Sequence, residues 1–595
     1  MVNDRVCDYI AKRLNEEGIY HVYGLVGGGC GGLNDGFICN KNIEYIGFHH
    51  EQGAAHAAVA AARTTKSLAV VNVTTGCGGT NALTSCLNAW QESIPVLFLS
   101  GNTRLDTISS YINKTKNLNL RKYGIQEHDI VSTVKSMTKY SVLIEDVNDI
   151  QYELEKAIHI AKSGRPGPVW IDVPSNIQTA KMPIDNRVFI PEKNSNICTD
   201  LINSAIYECI EKSSRPLIIV GSGVAISNSK NLLKEIIDRN QIPFVTNFVT
   251  RDLFDHDNPL HIGMIGIKGN RCANFAMQNS DCLIILGSSM NITHIGYDAK
   301  TFSPHSKKIM VDIDSSELNK NNIKIDYPIL GNVRDFLEVL NQANKLKLNI
   351  KEWSEKCFHW KNKWPIYCPD MHRSDKEGLN LYEIVESINR NAKSNDLILA
   401  DAGQPCYICS TNIKIQDGQR YMVQAAQGDM GYAIPAIVGI NCVAPNYNII
   451  ACIGEGSFHT NMQELAIIKQ RNIPAKIFVI NNDGYMSIKQ TQTKFFGGRL
   501  HAVSKSTGVY FADLKKVADA FELEYFKISN NEELDSNINR LMNYDKPIIV
   551  EFISQTMSDV LPAQAIKPDG KQGSLHDMAP FLPEEEINSE MIVKI

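Results

Sequence analysis

Short apolar runs punctuate this chain at regular intervals, and the stretches between them place apolar residues at helical spacing. Nine runs have the length and the β-branched, aromatic content of buried strands: SLAVVNVT (67–74), PVLFLSG (95–101), GPVWIDVP (167–174), PLIIVGSG (216–223), CLIILGS (282–288), KKIMVDID (307–314), NIIACIGEG (448–456), AKIFVINND (475–483) and KPIIVEFI (546–553). Strands that are apolar throughout, alternating with amphipathic helices, predict parallel sheets covered on both faces, an α/β class of doubly wound domains. Two stretches break the rhythm. PIDNRVFIPEKNSNICTD (183–200) is polar with two prolines, and 351–378 is dense in charge and tryptophan; both read as linkers. They divide the chain into domains at 1–182, 195–345 and 375–560, with a tail at 561–595, and no short-period repeat is visible.

Length agrees with this division, since 595 residues exceed what one core can organise. Hydrophobic residues at 43% and charged residues at 21% are ordinary globular values, which exclude a disordered, collagenous or coiled-coil chain. The net charge of -5 offers no positive field for nucleic acid or an anionic membrane, so small-molecule partners are expected. The segment MVNDRVCDYIAKRL has no signal-type apolar core, and no run approaches the ~18 apolar residues of a membrane span, so a cytoplasmic location is expected. Cysteines such as Cys86, Cys282, Cys442 and Cys452 stand singly in apolar surroundings, as reduced, buried thiols do. The one CxxC, Cys406 and Cys409, has neither a second pair nor a thioredoxin-like context.

Chemistry concentrates in Gly454-Glu455-Gly456-Ser457, at the end of a strand and the start of a helix. Glycines there let the backbone approach a phosphate, and the helix start offers free N–H groups to it. The next strand ends in Asn481-Asn482, so the Glu455 carboxylate and the Asn482 amide oxygen can converge on one hard cation beside that phosphate. Alone, GxG at a strand end is more often a generic turn with Ser457 as a helix cap; the second strand end favours a metal-diphosphate site.

This GEGS…NN pair resembles the thiamine-diphosphate signature, usually GDG…NN. IGFHHEQGAAHAAVAAAR (46–63), VNVTTGCGGTNALTSCLNAWQESIPVLFLSG (71–101), GIQEHDIVSTVKSMTKYSVLI (124–144), KSGRPGPVWIDVPSNIQ (162–178) and GDMGYAIPAIVGI (428–440) are similar, in order, to the acetohydroxyacid synthase family. The resemblance implies an N-terminal pyrimidine-binding domain, a central FAD-type domain and a C-terminal diphosphate-binding domain. It implies thiamine diphosphate and Mg2+ or another divalent cation as cofactors. By match, Glu51 is the carboxyl that hydrogen-bonds N1′ of the cofactor's pyrimidine, and Met430 is the apolar wedge beneath the cofactor. Gln126 lies near the reacting centre, and Gly28 belongs to a glycine loop at its mouth. Gln404 contacts the diphosphate; Thr75, Gly428, Gly454, Gly456, Ser457, Tyr485 and Met486 line the cofactor; and Glu455, Asn482 and the Gly484 carbonyl hold the metal. Glu51 alone would equally suit an acid satisfying a helix dipole, and Met430 alone a core methionine. The family's site joins Glu51 of one subunit to the Gly454–Asn482 unit of another, which implies a homodimer or homotetramer.

Several positions depart from the family. Glu455 stands where aspartate is usual, pushing the carboxylate outward by about one C–C bond, which Mg2+ tolerates poorly. Thr491 replaces a bulky tryptophan, Ile125 a phenylalanine and Gly29 an alanine, changes expected to enlarge the acceptor pocket. GYMSIKQTQTKFF (484–496) and LHDMAPFLPEEEI (575–587) resemble a subgroup found with surface-polysaccharide genes, which includes an enzyme adding a two-carbon unit to a keto-sugar nucleotide in yersiniose synthesis. The expectation is a carboligase that decarboxylates pyruvate, a 2-keto acid donor, and joins the two-carbon unit to a ketone acceptor such as a nucleotide-linked 4-keto sugar. Acetolactate formation, simple decarboxylation or oxidation, and a non-catalytic scaffold stand as alternatives. VGSGV (220–224) is a weak dinucleotide hint, lacking the third glycine of GxGxxG, and Asn332 replaces an aspartate of the family's GD turn. The central domain's resemblance to the family's FAD-holding domain implies FAD as a candidate ligand, structural rather than redox-active.

Overall fold

A computed structural model describes residues 5–183, 187–191, 203–342, 346–374 and 376–594. Each of the nine apolar runs forms a strand, and shorter strands complete three six-stranded sheets, all parallel in their pairings. The first sheet holds β1 (His21–Gly24), β2 (Glu44–Gly47), β3 (Ala69–Val73), β4 (Val96–Asn102), β5 (Tyr140–Leu143) and β6 (Val169–Pro174), in the order β2-β1-β3-β4-β6-β5. The central sheet holds β7 (Pro216–Val220), β8 (Phe244–Thr246), β9 (His261–Met264), β10 (Cys282–Leu286), β11 (Lys307–Asp312) and β12 (Tyr327–Leu330), ordered β12-β11-β10-β7-β8-β9. The third holds β13 (Asp396–Ala400), β14 (Arg420–Val423), β15 (Asn448–Gly454), β16 (Lys476–Asn481), β17 (Glu524–Ile528) and β18 (Ile548–Ile553), ordered β14-β13-β15-β16-β18-β17.

The first and third sheets thus repeat one order, and the repetition extends to register. Ser100 pairs with Val73 and Asp172; in the third sheet Val479 pairs with Ile453 and Glu551. Two residues beyond, Asn102 donates to the Asp172 carboxylate at 2.7 Å, and Asn481 donates to the Glu551 carboxylate at 2.5 Å. In both sheets the strand order reverses beside the first strand, where open α/β sheets collect ligands at the carboxyl ends of their strands. The loops after β1 and β3, and those after β13 and β15, lie at these points.

The two repeated domains share one hydrophobic core. Helix Glu51–Thr65 buries Ala54, Ala55, Ala57, Ala58, Val59, Ala60, Ala61 and Ala62 and packs on helix Ala433–Val443. A Cβ added at Gly439 would meet the Ala57 carbonyl oxygen at 2.0 Å, so the helices approach to backbone contact. Small residues permit that approach, while the buried methyl groups contribute about 0.8 kcal/mol each.

One expectation needs correcting. The segment 351–378 is not a plain linker: Lys351–Lys363 is a helix whose Trp353, Cys357 and Trp360 lie in the central core, and Trp353 Nε1 donates to the Pro216 carbonyl at 2.8 Å. Those three residues fall at i, i+4 and i+7, one helical stripe obscured by lysines on the solvent side. Most of the other proposed linker, 183–200, and the domain limits placed at 195, 345 and 375, lie outside the described residues. Residues 561–594 lie across the central domain, where Leu575 enters its core and Arg271 donates to the Met578 and Pro580 carbonyls. Among the described residues no helix is long and apolar enough to cross a membrane, and the cysteines are free thiols.

Candidate active site

In the first domain the loops after β1, β3 and β4 meet. Gly28 faces open space. Thr75 is buried. Gly76, at φ +60, lies so close to the loop carrying Gln126 that a Cβ would meet the Gln126 carbonyl at 2.3 Å. Gln126 itself adopts a left-handed φ of 57, held in place by Glu127, which accepts from Ser109 Oγ at 2.9 Å and Tyr123 N–H at 2.8 Å. The structure corrects the reading of Gly29 as a widening of the mouth: a Cβ there would sit 1.6 Å from Thr75 Oγ1, so the threonine hydroxyl fills the space.

Glu51 opens its helix and is 4% exposed. One carboxyl oxygen accepts from Asn81 Nδ2 at 2.9 Å; the other would lie 3.1 Å from a Cβ on Gly78, which glycine keeps clear. The turn before it is tied to the C-terminal domain of the same chain, with His49 N–H donating to Glu464 at 3.1 Å. Asn461 donates to Gln52 at 3.3 Å. This fixes a buried carboxyl in a glycine-lined niche, able to share a proton with a ring nitrogen presented to it. Asn81 was missed by the sequence reading, because a ligand-orienting amide 30 residues away leaves no local signal.

In the C-terminal domain, β15 runs into helix Glu455–Thr460 through the predicted turn. Glu455 is 4% exposed and its carboxyl accepts the Gly484 N–H. Burial pushes its pKa up to about 7; the Gly484 and Asn482 N–H groups and the Lys489 charge oppose that rise. Asn482 Oδ1 is buried with no hydrogen-bond partner among the described residues. The Gly484 carbonyl accepts Met486 N–H at 3.1 Å and retains a second lone pair. At φ +128 Gly484 allows no side chain, since a Cβ would meet the Val503 carbonyl at 1.8 Å. These oxygens suit a hard divalent cation. Among the described residues no group of three His, Cys, Asp or Glu side chains could hold a metal, so such an ion would complete its shell from backbone and ligand oxygens.

The rest of this half-site surrounds the turn. A Cβ on Gly456 would strike the Tyr485 ring at 2.3 Å, so glycine is what lets the ring close over the turn; Gly454 faces open space, while Ser457 and Met486 are buried. Asp401, at the end of β13, accepts N–H groups from Ala402, Gly431 and Ala433 and so shapes the loop bearing Gly428 and Met430. Met430 is 37% exposed, and Gly428, at φ +71, has nothing near its Cβ position. Gln404 is buried, and its amide donates to Ser558 at 2.7 and 3.0 Å, so its side chain is committed within the chain. His459 Nε2 accepts from Ala512 N–H at 2.9 Å, which leaves Nδ1 to donate to the Glu455 carbonyl at 2.7 Å. That tautomer ties the loop after helix Met486–Phe495 to the turn.

Thr491 is exposed, its hydroxyl turned back on the Ser487 carbonyl at 3.0 Å, and Ile125 is 80% exposed. Separately, a cavity of 1690 Å³ opens where the three domains meet. It reaches Ser222 and Gly223 beyond β7, Gly287 and Ser288 beyond β10, Asp312 and Asn332. Ser288 Oγ and His294 Nδ1, both of residues on its lining, are buried without partners among the described residues. Close glycines at the reversal of the central sheet and spare polar atoms suit a dinucleotide.

Comparison with known proteins gives three family matches. They are the thiamine pyrophosphate enzyme N-terminal TPP binding domain over residues 4–133, its central domain over 204–340, and its C-terminal TPP binding domain over 401–552. The chain is 30% identical over 551 residues to the acetolactate synthase large subunit of Porphyra purpurea, covering 90% of this chain and 89% of that protein. It is 28% identical to the acetolactate synthase large subunit of Lactococcus lactis subsp. lactis, covering 93% of each. It is 26% identical to the acetolactate synthase isozyme 2 large subunit of Escherichia coli K12, covering 95% of this chain and 98% of that one.

Proposed function

Because the chain belongs to the thiamine pyrophosphate enzyme family, we propose that it decarboxylates a 2-keto acid, pyruvate in the first instance, and joins the two-carbon unit to a large ketone such as a nucleotide-linked keto sugar. Thiamine diphosphate, when bound, supplies the nucleophilic carbon and electron sink that this decarboxylation requires. Glu51 holds a proton at N1′ of the pyrimidine, with Asn81 fixing the carboxyl's orientation. Glu455, Asn482 Oδ1 and the Gly484 carbonyl hold Mg2+ or another divalent cation, and the Gly454–Ser457 turn offers backbone to the diphosphate. Gln126 and Gly28 border the substrate on the first domain's side. We further propose, on the family resemblance, that the site closes between subunits of a homodimer or homotetramer. The central cavity is a candidate site for FAD, tested by flavin absorbance of the purified protein.

The observation that carries the large acceptor is Thr491, small and exposed where a tryptophan is usual, with Ile125 exposed as well. A second reading, acetolactate formation with pyruvate as acceptor, is favoured by the relatives' names. Pyruvate incubated alone and then with keto-sugar nucleotides, followed by CO2 release and product mass, separates the two. Efficient acetolactate formation that no sugar acceptor augments rejects the large-acceptor reading. Glu51→Gln is expected to bind thiamine diphosphate yet lose pyruvate turnover by about 100-fold or more, and unchanged turnover removes Glu51 from its role.

A further inference from the structure

A lysine on an amphipathic helix ordinarily reaches solvent. Lys489, on helix Met486–Phe495, does not: its side chain is 6% exposed. Its Nζ donates to the Asn482 backbone carbonyl at 3.0 Å, and its ion-pair partner, the half-exposed Asp483, is 3.9 Å away. Other buried lysines of this chain are plugs that satisfy two acceptors each. Lys308 donates to the Ser303 and Ser306 carbonyls, and Lys476 to Asn448 Oδ1 and the Pro474 carbonyl. An ammonium has three donors, and burying one with a single close acceptor and with only the Asp483 and Glu455 carboxyls as counter-charges, neither hydrogen-bonded to it, is costly unless something else balances it.

Its location says what that is. The turn Asn482–Gly484 is gripped from two sides, by the Glu455 carboxyl on the Gly484 N–H and by Lys489 on the Asn482 carbonyl. Between these grips Asn482 Oδ1 is left buried and unpartnered. We propose that Lys489 is a positioning residue of the cation and diphosphate site, holding the Asn482 carbonyl so that Asn482 Oδ1 and the Gly484 carbonyl stay presented, and lending a buried positive charge to the anionic ligand beside them. This rests on the functional reading above and adds to it a residue that neither the Gly454–Ser457 turn nor the Asn482 signature contains.

The test measures Mn2+ uptake with thiamine diphosphate, by the electron paramagnetic resonance of free Mn2+, in full-length wild type, Lys489→Met and Lys489→Arg. Thermal melts control for folding. Lys489→Met is expected to weaken Mn2+ uptake by about ten- to a hundredfold, the usual cost of losing a group that orients metal ligands, while Lys489→Arg retains most of the affinity. Should Lys489→Met not fold, Lys489→Gln is read in its place. A folded Met or Gln variant that takes up Mn2+ as tightly as wild type overturns this inference alone. A wild-type chain that takes up neither Mn2+ nor thiamine diphosphate overturns the functional reading and this inference with it.

Discussion

The Asp429 carboxyl, only 6% exposed and standing between Gly428 and Met430, makes no hydrogen bond of ordinary geometry among the described residues. Burial, reinforced by Glu92 and opposed by the Gln427 side chain, pushes its pKa up to about 7. The native state therefore binds more protons than the unfolded chain between the usual carboxylate value and neutrality, and this group's contribution to stability falls as pH rises through that window. Asp429→Asn should remove the slope, gaining up to about 4 kcal/mol over wild type above pH 7 and little near pH 4. Urea melts of both proteins at pH 4.5 and pH 8 check this; equal pH dependence would show the carboxyl to be satisfied. Asp429, Asp401 and Lys489 share a reason for escaping notice in the sequence. Glu51 and Glu455 are motif positions whose residue type already names a role, whereas Asp429 and Lys489, although inside family-like segments, and Asp401 have roles that depend on what packs around them.

At the scale of elements, the pairing of helices Glu51–Thr65 and Ala433–Val443 turns on Gly439. A side chain there must displace the Ala57 backbone from a 2.0 Å approach, which a helix already packed on a sheet cannot concede. Gly439→Val is expected to cost about 3 kcal/mol or more, beyond ordinary overpacking because backbone rather than a side chain blocks it. A lowered Tm measured against Gly→Val at Gly47, an exposed strand position with open space at its Cβ and an ordinary φ, checks it, and equal losses reject the close packing. The central strands were legible because being buried on both faces makes them continuously apolar. Edge strands such as β2, with burial on only one of four residues, carry too little apolar signal to be seen. Helix Lys351–Lys363 was misread because its buried stripe is three residues wide in a segment otherwise charged, so composition outweighed periodicity.

For the whole molecule, the three-domain division was visible in the sequence, but the joining of the outer two around one core was not. Nothing in a local pattern reveals which partner an alanine-rich face will find. The tail adds a second long-range closure: Glu590 accepts from Trp360 Nε1 at 2.8 Å and pairs with Lys356 at 2.6 Å and Lys363 at 2.8 Å. Removing residues 561–595 should expose Leu575's place in the central core and lower the central domain's melting temperature, read by tryptophan emission because Trp353 and Trp360 report there. An unchanged melt would make the tail a passive appendage.

The helix pair also sets a timetable. Helix Glu51–Thr65 and its mate Ala433–Val443 are separated by about 370 residues of chain, which at about 5–20 residues per second leaves the first waiting some 20–70 seconds for the second during synthesis. Throughout that interval the face it will bury is open to the cell. A leucine-rich face of that length would invite aggregation; one built from alanine offers little for another chain to grip. The same small side chains that let two backbones touch in the finished protein thus make the unfinished one safer to wait in.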